Sequence, residues 1–428
     1  MKYFILVTIW LDSVIRLCYL PITKMNPVSL FPILPILFLA PITMHLISKV
    51  IPIRASQGHY DSIDGLRGYL AIFVFLHHSA VWYFFLRYHQ WSLPPSRTYH
   101  HFGPTSVSFF FMITAFLFFS KLLRARSSSM DWLKLYIGRI LRIYPRYLFV
   151  VFFFFLIVGI ISRFTLHVPF SIFIFQLLQW LFFMTPDVNG IYRTGIIIAG
   201  VIWSLAFEWL FYFSLSFIGL VFFKIKTSIM VLVFTGVLFV AFIIIIQRFY
   251  PYMALQRISS FSGGTAAAFL VRDPWIRQLA VSKGTSFLII LLLISAVLFS
   301  PVDAYEQVLS LICMIVAFIG IACGNTLFGI LTNITSRLLG QVSYSIYLLH
   351  GIVLFLTFRF IVGFRTASAL SPVFYWMVIS VTAICLVIVA SFSYYHVELP
   401  FINATSGVVE RIKNFFGKRP LEQNLVRK

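Results

Sequence analysis

The stretch Asp61–Phe85, DSIDGLRGYLAIFVFLHHSAVWYFF, decides how the rest of the chain is read. It opens with three charged residues, Asp61, Asp64 and Arg67, and then stays apolar, two adjacent histidines apart, over close to the roughly 20 residues that a helix needs to cross a bilayer. Helical geometry separates the two histidines. Eleven positions at about 100° each bring Arg67 and His78 within roughly 20° of one face, whereas His77 points about 80° away. At about 1.5 Å per residue, Arg67 and His78 lie about 16 Å apart along the axis. With Arg67 at the cytoplasmic surface, His78 is near the middle of the membrane. A neutral imidazole there can take a hydroxyl proton or carry an acyl group transiently while water is largely excluded, which suits a donor entering from one side and an acceptor from the other. A lone buried histidine also serves as a hydrogen-bonded packing residue, so the pattern alone leaves both roles open.

Working outward, the 428 residues are 61% hydrophobic and 11% charged, with 50 Phe, a composition that excludes an ordinary soluble domain. The fold class expected is all-α, a polytopic transmembrane helical bundle of about 10–12 membrane helices. Membrane segments are expected near 68–88, 104–122, 146–162, 170–185, 196–222, 228–246, 259–271, 285–300, 306–323, 338–361 and 372–394. Two of these, 170–185 and 259–271, are short for a full crossing, and the second contains Gly263 and Gly264; either is a candidate re-entrant or protein-buried segment. Residues 1–55 form extra N-terminal hydrophobic segments. Asp12 and Arg16 interrupt the first and no small-residue cleavage site follows, which argues against a removable signal peptide; the second, 28–51, is rich in proline and expected to bend. No internal repeat is visible, so the symmetry common in secondary transporters finds no support.

The net charge of +21 sits in short loops between apolar runs, a topology signal rather than a nucleic-acid-binding surface. Residues 121–146 carry Lys121, Arg124, Arg126, Lys134, Arg139, Arg142 and Arg146 against a single Asp131, and are expected on the cytoplasmic side. Lys224 with Lys226, the group Arg272, Arg277 and Lys283, and the basic tail 403–428 are candidates for the same side. A strict up-and-down count cannot place all four there unless one segment between 163 and 222 fails to cross. Cys18, Cys313, Cys323 and Cys385 lie in apolar segments without metal-ligand spacing, so they read as core packing, with no disulfide framework and no metal site.

Of twelve acidic residues only Glu208 sits well inside a strong apolar run, where an ionisable side chain is by default a functional candidate. Ser204, Glu208 and Tyr212 recur on one helix face, as do Ser343, Tyr347 and His350. Arg139 and Arg142, three apart, present guanidinium groups suited to phosphate. In the loop 89–103, HQWSLPPSRTYHHFG, Trp91, Tyr99 and three histidines suit either contact with a sugar face or an interfacial aromatic belt.

The run DGLRG with Arg67 and then His78 resembles the opening signature of the bacterial membrane acyltransferase 3 family. Five further blocks follow in the family's order: FFFMITAFLFFSKLL resembles its FF-x-x-SGFL helix, GRILRIYPRYL its arginine-rich turn, WSLAFEWLFYF its W-S/T-L-x-x-E helix, LLGQVSYSIYLLHG its SYS-x-YL-x-H helix, and YYHVELPFI its closing E-x-P. The resemblance covers about residues 56–402 and lacks the SGNH-type domain of some members; Thr114 and Ala115 replace the family's Ser-Gly, which puts a close backbone approach there in question. It implies transfer of an acyl group, usually acetyl, from acyl-CoA to a sugar hydroxyl on a surface or lipid-linked glycan, in the bacterial cytoplasmic (inner) membrane. On this reading Arg67 and His78 match the family's essential pair, with His78 the base or acyl relay and Arg67 positioning donor or base. Glu208 orients His78 or an acceptor hydroxyl, Arg139 and Arg142 clamp the CoA phosphates, and Tyr344, Tyr347 and His350 line the acceptor path. The partners expected are acyl-CoA (acetyl-CoA) as donor substrate, a glycan or glycolipid acceptor and membrane lipid, with no bound cofactor, no metal and no nucleic acid. The competing readings are a transporter or flippase for lipid-linked glycan precursors, which needs no nucleophile, and a glycan polymerase or ligase, which would use larger outer loops.

Overall fold

The computed structural model describes residues 25–53, 60–126, 129–250, 254–298 and 304–417. The first expected N-terminal segment, Cys18 and the end of the basic tail lie outside these residues. Within them the chain is a helical bundle: α1 (Ile33–Ser48), α2 (Asp61–Tyr88), α3 (Arg97–Arg124), α4 (Trp132–Ile161), α5 (Phe170–Leu181), α6 (Trp203–Phe223), α7 (Ile229–Phe249), α8 (Ala254–Leu270), α9 (Pro274–Ala280), α10 (Lys283–Leu298), α11 (Ala304–Ala322), α12 (Ile334–Gln341), α13 (Ser343–Leu356), α14 (Phe364–Ala369), α15 (Pro372–Ser393) and α16 (Leu399–Gly417). Local chemistry sets several starts. Ser96, Asp131, Asp273 and Asn333 each accept a hydrogen bond from a backbone N–H in the first turn that follows. α2 ends where His89 turns left-handed at φ 56°.

Seven helices among the described residues are long and apolar enough to cross a membrane, namely α2, α3, α4, α6, α7, Ser343–Ile361 and the run Pro372–Phe415, with the bent pair α9 and α10 an eighth if taken as one span. Shorter apolar helices, α1 and α5 among them, accompany these. This is an integral membrane protein. Its interior is set by α2 and α3, whose apolar windows are each 72% buried by the rest of the chain, against 17% for α7. α7 instead turns Met230, Val233, Phe234, Val237, Val240 and Ile244 outward, as a lipid-facing helix does.

The basic loops gather at one end. Lys413 on α16 bonds Asp131 at 2.6 Å, Ser129 pairs with Lys226 across an isolated bridge, and Arg124 shares a cavity with Arg272 and Arg277. The topological conflict in the sequence is resolved at α5. Its 12 residues rise about 18 Å, short of the roughly 30 Å hydrocarbon core, so the chain returns to the basic end through α6 without an extra crossing. The expected short segment 259–271 falls in α8, which packs closely along α3: a Cβ on Gly264 would stand 1.9 Å from the Met112 carbonyl oxygen.

The glycines of DGLRG serve the same purpose for α2. A Cβ on Gly65 would lie 1.8 Å from the Leu331 carbonyl oxygen, one on Gly340 1.8 Å from that of Asp64, and one on Gly68 2.9 Å from the Gly340 nitrogen. α2 and α12 therefore touch backbone to backbone, an approach that small residues permit between membrane helices. Gly340→Ala is expected to destabilise the fold by about 1–3 kcal/mol or more through this clash. Gly407→Ala, where a Cβ meets nothing within 4 Å, is expected to be silent. Thermal unfolding of the two purified variants checks this; equal midpoints would refute the backbone contact.

Candidate active site

Five helices build an internal chamber of about 110 Å³. α2 contributes Arg67, α3 contributes Phe110 and Thr114, α4 contributes Arg139 and Arg142, and α6 contributes Ser204, Glu208 and Tyr212, with Tyr344 and Tyr347 of α13 closing the side. The face periodicities read from the sequence thus converge on one space. Glu208 accepts hydrogen bonds from Thr114 Oγ1 at 3.1 Å and from the Tyr212 hydroxyl. The Arg139 guanidinium lies 5.1 Å from the Phe118 ring centroid and 5.9 Å from that of Tyr212. Arg67 feels the charges of Arg142, Asp64, Glu398 and Glu208. Tyr344 donates to the Ile143 carbonyl at 3.2 Å, fixing α13 to α4.

Arg139, Arg142 and Phe118 also line a second cavity of about 550 Å³ with Lys121, Arg124 and Lys134. These shared residues make it a vestibule at the basic end of the bundle that leads to the chamber. It is strongly cationic, with Asp131 the one acidic residue in its lining, and Asp131 is engaged by Lys413.

The chamber lining also includes Ser204 and Tyr347, whose hydroxyls share a hydrogen bond at 2.8 Å and each lie 3.1 Å from the Val201 carbonyl, so that one donates to the other and the other to the carbonyl. One turn further along α13 is His350, fully buried, and its Nε2 is 3.0 Å from His78 Nδ1. His350 Nδ1 faces the Ile346 carbonyl at 3.3 Å. His78 Nδ1 faces both His350 Nε2 and the Val74 carbonyl, each at 3.0 Å, and the Ala199 carbonyl lies against the same ring, so the doubly protonated ring has acceptors around it. A neutral His78 with its proton on Nδ1 carries the lone pair on Nε2. Trp91, from the loop after α2, lies nearly parallel to His78 at 6.4 Å between centroids. His77 turns away, as the helix-face argument requires, bonding the Tyr99 carbonyl at 2.7 Å and packing over Gly103.

The sequence offers Glu208 to orient His78 or an acceptor hydroxyl and His350 for the acceptor path; in the structure His350 bonds His78, while Glu208 bonds Thr114 and Tyr212 in the chamber. Arg146 and Glu398 were not singled out as a pair. Both are buried and stand 3.9 Å apart, with Glu398 also accepting from Ser345 at 3.1 Å. The signal for Arg146 was present in the spacing of Arg139, Arg142 and Arg146, which puts all three on one helical face. Among the described residues no cluster of His, Cys, Asp and Glu has metal-binding geometry.

The chain matches the acyltransferase domain of the acyltransferase 3 family over residues 60–392. No curated protein and no solved structure matches it. A match over most of the chain, on the helices that carry the chamber and the paired imidazoles, makes this protein a member of the acyltransferase 3 family of membrane acyltransferases.

Proposed function

We propose that this protein moves an acyl group, acetyl in the simplest case, from cytoplasmic acyl-CoA to a hydroxyl of a cell-surface or lipid-linked glycan, from the bacterial inner membrane. The observation that carries this reading is the His78 imidazole, hydrogen-bonded to His350 and three turns along α2 from Arg67, which lines a chamber that shares its wall with a cationic vestibule. The vestibule suits the phosphates of CoA, because guanidinium and ammonium groups there have few competing carboxylates. The thioester arm extends through the chamber to the Ser204–Tyr347 pair, which parts to admit it to His78. The acceptor arrives from the other side, its ring against Trp91, as aromatic faces receive apolar sugar faces.

His78 Nε2 then takes the hydroxyl proton while the oxygen bonds to the thioester carbonyl carbon. The carbon–sulfur bond breaks, and the CoA thiolate leaves with the proton that the imidazolium returns. During the step the imidazolium is held by acceptors on both sides, Val74 and His350 at Nδ1 and the Ala199 carbonyl beside the ring. Arg67 positions the donor, and Glu208 holds Tyr212 and Thr114 in the chamber wall.

Purified protein given labelled acetyl-CoA and glycan acceptor is expected to lose transfer by about 10²–10⁴-fold on His78→Ala. Arg67→Ala should be similarly inactive, and Glu208→Gln should show a graded loss. His350→Ala, which frees the His78 ring, should lower kcat with little change in the KM for acetyl-CoA. Full activity of His78→Ala together with abolition by His77→Ala would overturn the assignment. A separate expectation concerns the vestibule. Arg139→Gln and Arg142→Gln should each raise the KM for acetyl-CoA by about tenfold, the value of one charge-assisted hydrogen bond, while leaving acceptor KM unchanged. A fall in acceptor affinity instead would move the donor elsewhere.

A further inference from the structure

A third cavity, of about 640 Å³, lies at the basic end of the bundle on the other side of Arg124 from the vestibule. It is enclosed by the start of α2 and the ends of α3, α8 and α11, with α9 at its rim. Acyl transfer as described above makes no use of it. Three guanidinium groups line it: Arg124 from the last turn of α3, Arg272 from the turn after α8, and Arg277 from α9. None of the three is ion-paired to a carboxylate among the described residues. The acidic residue in the lining, Asp61, is engaged by Arg337 at 3.0 Å. Ser120 belongs to the lining, only 5% exposed, and its hydroxyl has no hydrogen-bond partner. A buried hydroxyl without a partner is costly in an apolar bundle, so a rotamer that turns it to an acceptor held in the cavity is favoured.

We infer that this cavity is a second anion site, built for a phosphate group. Three forked cations and a hydroxyl donor match the several acceptor oxygens of a phosphate better than the two of a carboxylate. Its rim lies at the membrane surface. α9 is bent 76° from α10, and it and the turn after it expose Trp275, Leu279 and Val281, the pattern of a short segment resting at the level of lipid headgroups. The phosphate is therefore that of an anionic phospholipid headgroup or of a small soluble phosphate, and both are recognised by the same donors. Arg124 belongs to this cavity and to the vestibule alike, so the occupant adjoins the entrance to the chamber. The inference stands apart from the acyl-transfer reading, since it is read by binding alone.

The test compares wild type, the double variant Arg272→Gln/Arg277→Gln, Ser120→Ala and the tail control Arg411→Gln, all purified and checked by thermal unfolding. Phosphatidylglycerol retained per chain is counted by native mass spectrometry, and in nanodiscs of phosphatidylcholine alone inorganic phosphate is titrated by calorimetry. Wild type and Arg411→Gln should bind one of the two probes equally well, the double variant about tenfold or more weaker, and Ser120→Ala severalfold weaker. Retention of the lipid identifies a headgroup as the source, whereas binding of phosphate without lipid retention identifies a soluble one. The proposal is overturned if the folded double variant binds both probes as wild type does. Should that variant fold poorly, unchanged binding in Ser120→Ala overturns it equally.

Discussion

Backbone contact between α2 and α12 is the constraint from which the geometry of the candidate site follows. Gly68 and Gly340 meet with no side chain between them, and from that contact α2 and the α12–α13 segment run in the same direction. Ten residues beyond each glycine, about 15 Å along the axis, stand His78 and His350. α2 is continuous over that length and the α12–α13 segment is interrupted only at Val342, so the meeting of the two imidazoles at 3.0 Å continues a register set three turns earlier. The same register leaves Arg67, just before Gly68, in the lining of the chamber with Tyr344 and Arg142. One contact thus sets the heights of both Arg67 and the paired imidazoles.

Intrahelical geometry was legible in the sequence because it needs only a period. The eleven-residue step from Arg67 to His78, the turn that separates His77, and the face shared by Ser204, Glu208 and Tyr212 all appear in the structure as spacing alone implied. Contacts between helices were not legible, because no period links one helix to another. Glu208 finds Thr114 on α3, and His350 finds His78 on α2; both depend on which helices neighbour and at what height. The basic loops were legible as a group, and the short α5 that reconciles their sidedness was visible as a run too brief to span.

The departure from the family motif at Thr114 and Ala115 shows how one close approach survives a changed residue. The family places a glycine where this chain has Ala115, yet α3 and α8 still lie against one another because the glycine needed is on the other helix. Gly264 faces both the Met112 carbonyl and the Ala115 methyl, with room for no side chain of its own. Thr114 meanwhile keeps a hydroxyl at the family's serine position, and that hydroxyl reaches Glu208. The two halves of the motif therefore do separate tasks, one in packing and one in the chamber wall.

Charge balance inside the bundle ties the fold to the kind of ligand its chamber favours. Four arginines, Arg67, Arg139, Arg142 and Arg146, stand around the chamber and its wall, and the carboxylates acting on them from within the bundle include Glu208 and the buried Glu398. A buried ion pair at 3.9 Å, as between Arg146 and Glu398, recovers only part of the hydration that both groups lose, and all three guanidinium nitrogens of Arg146 lack a hydrogen-bond partner. Such a cluster is held together against its own repulsion by the packing of α2, α4, α6 and α13. An anion entering among these arginines would relieve that repulsion, so the packing that holds the cluster together also favours a ligand bearing negative charge.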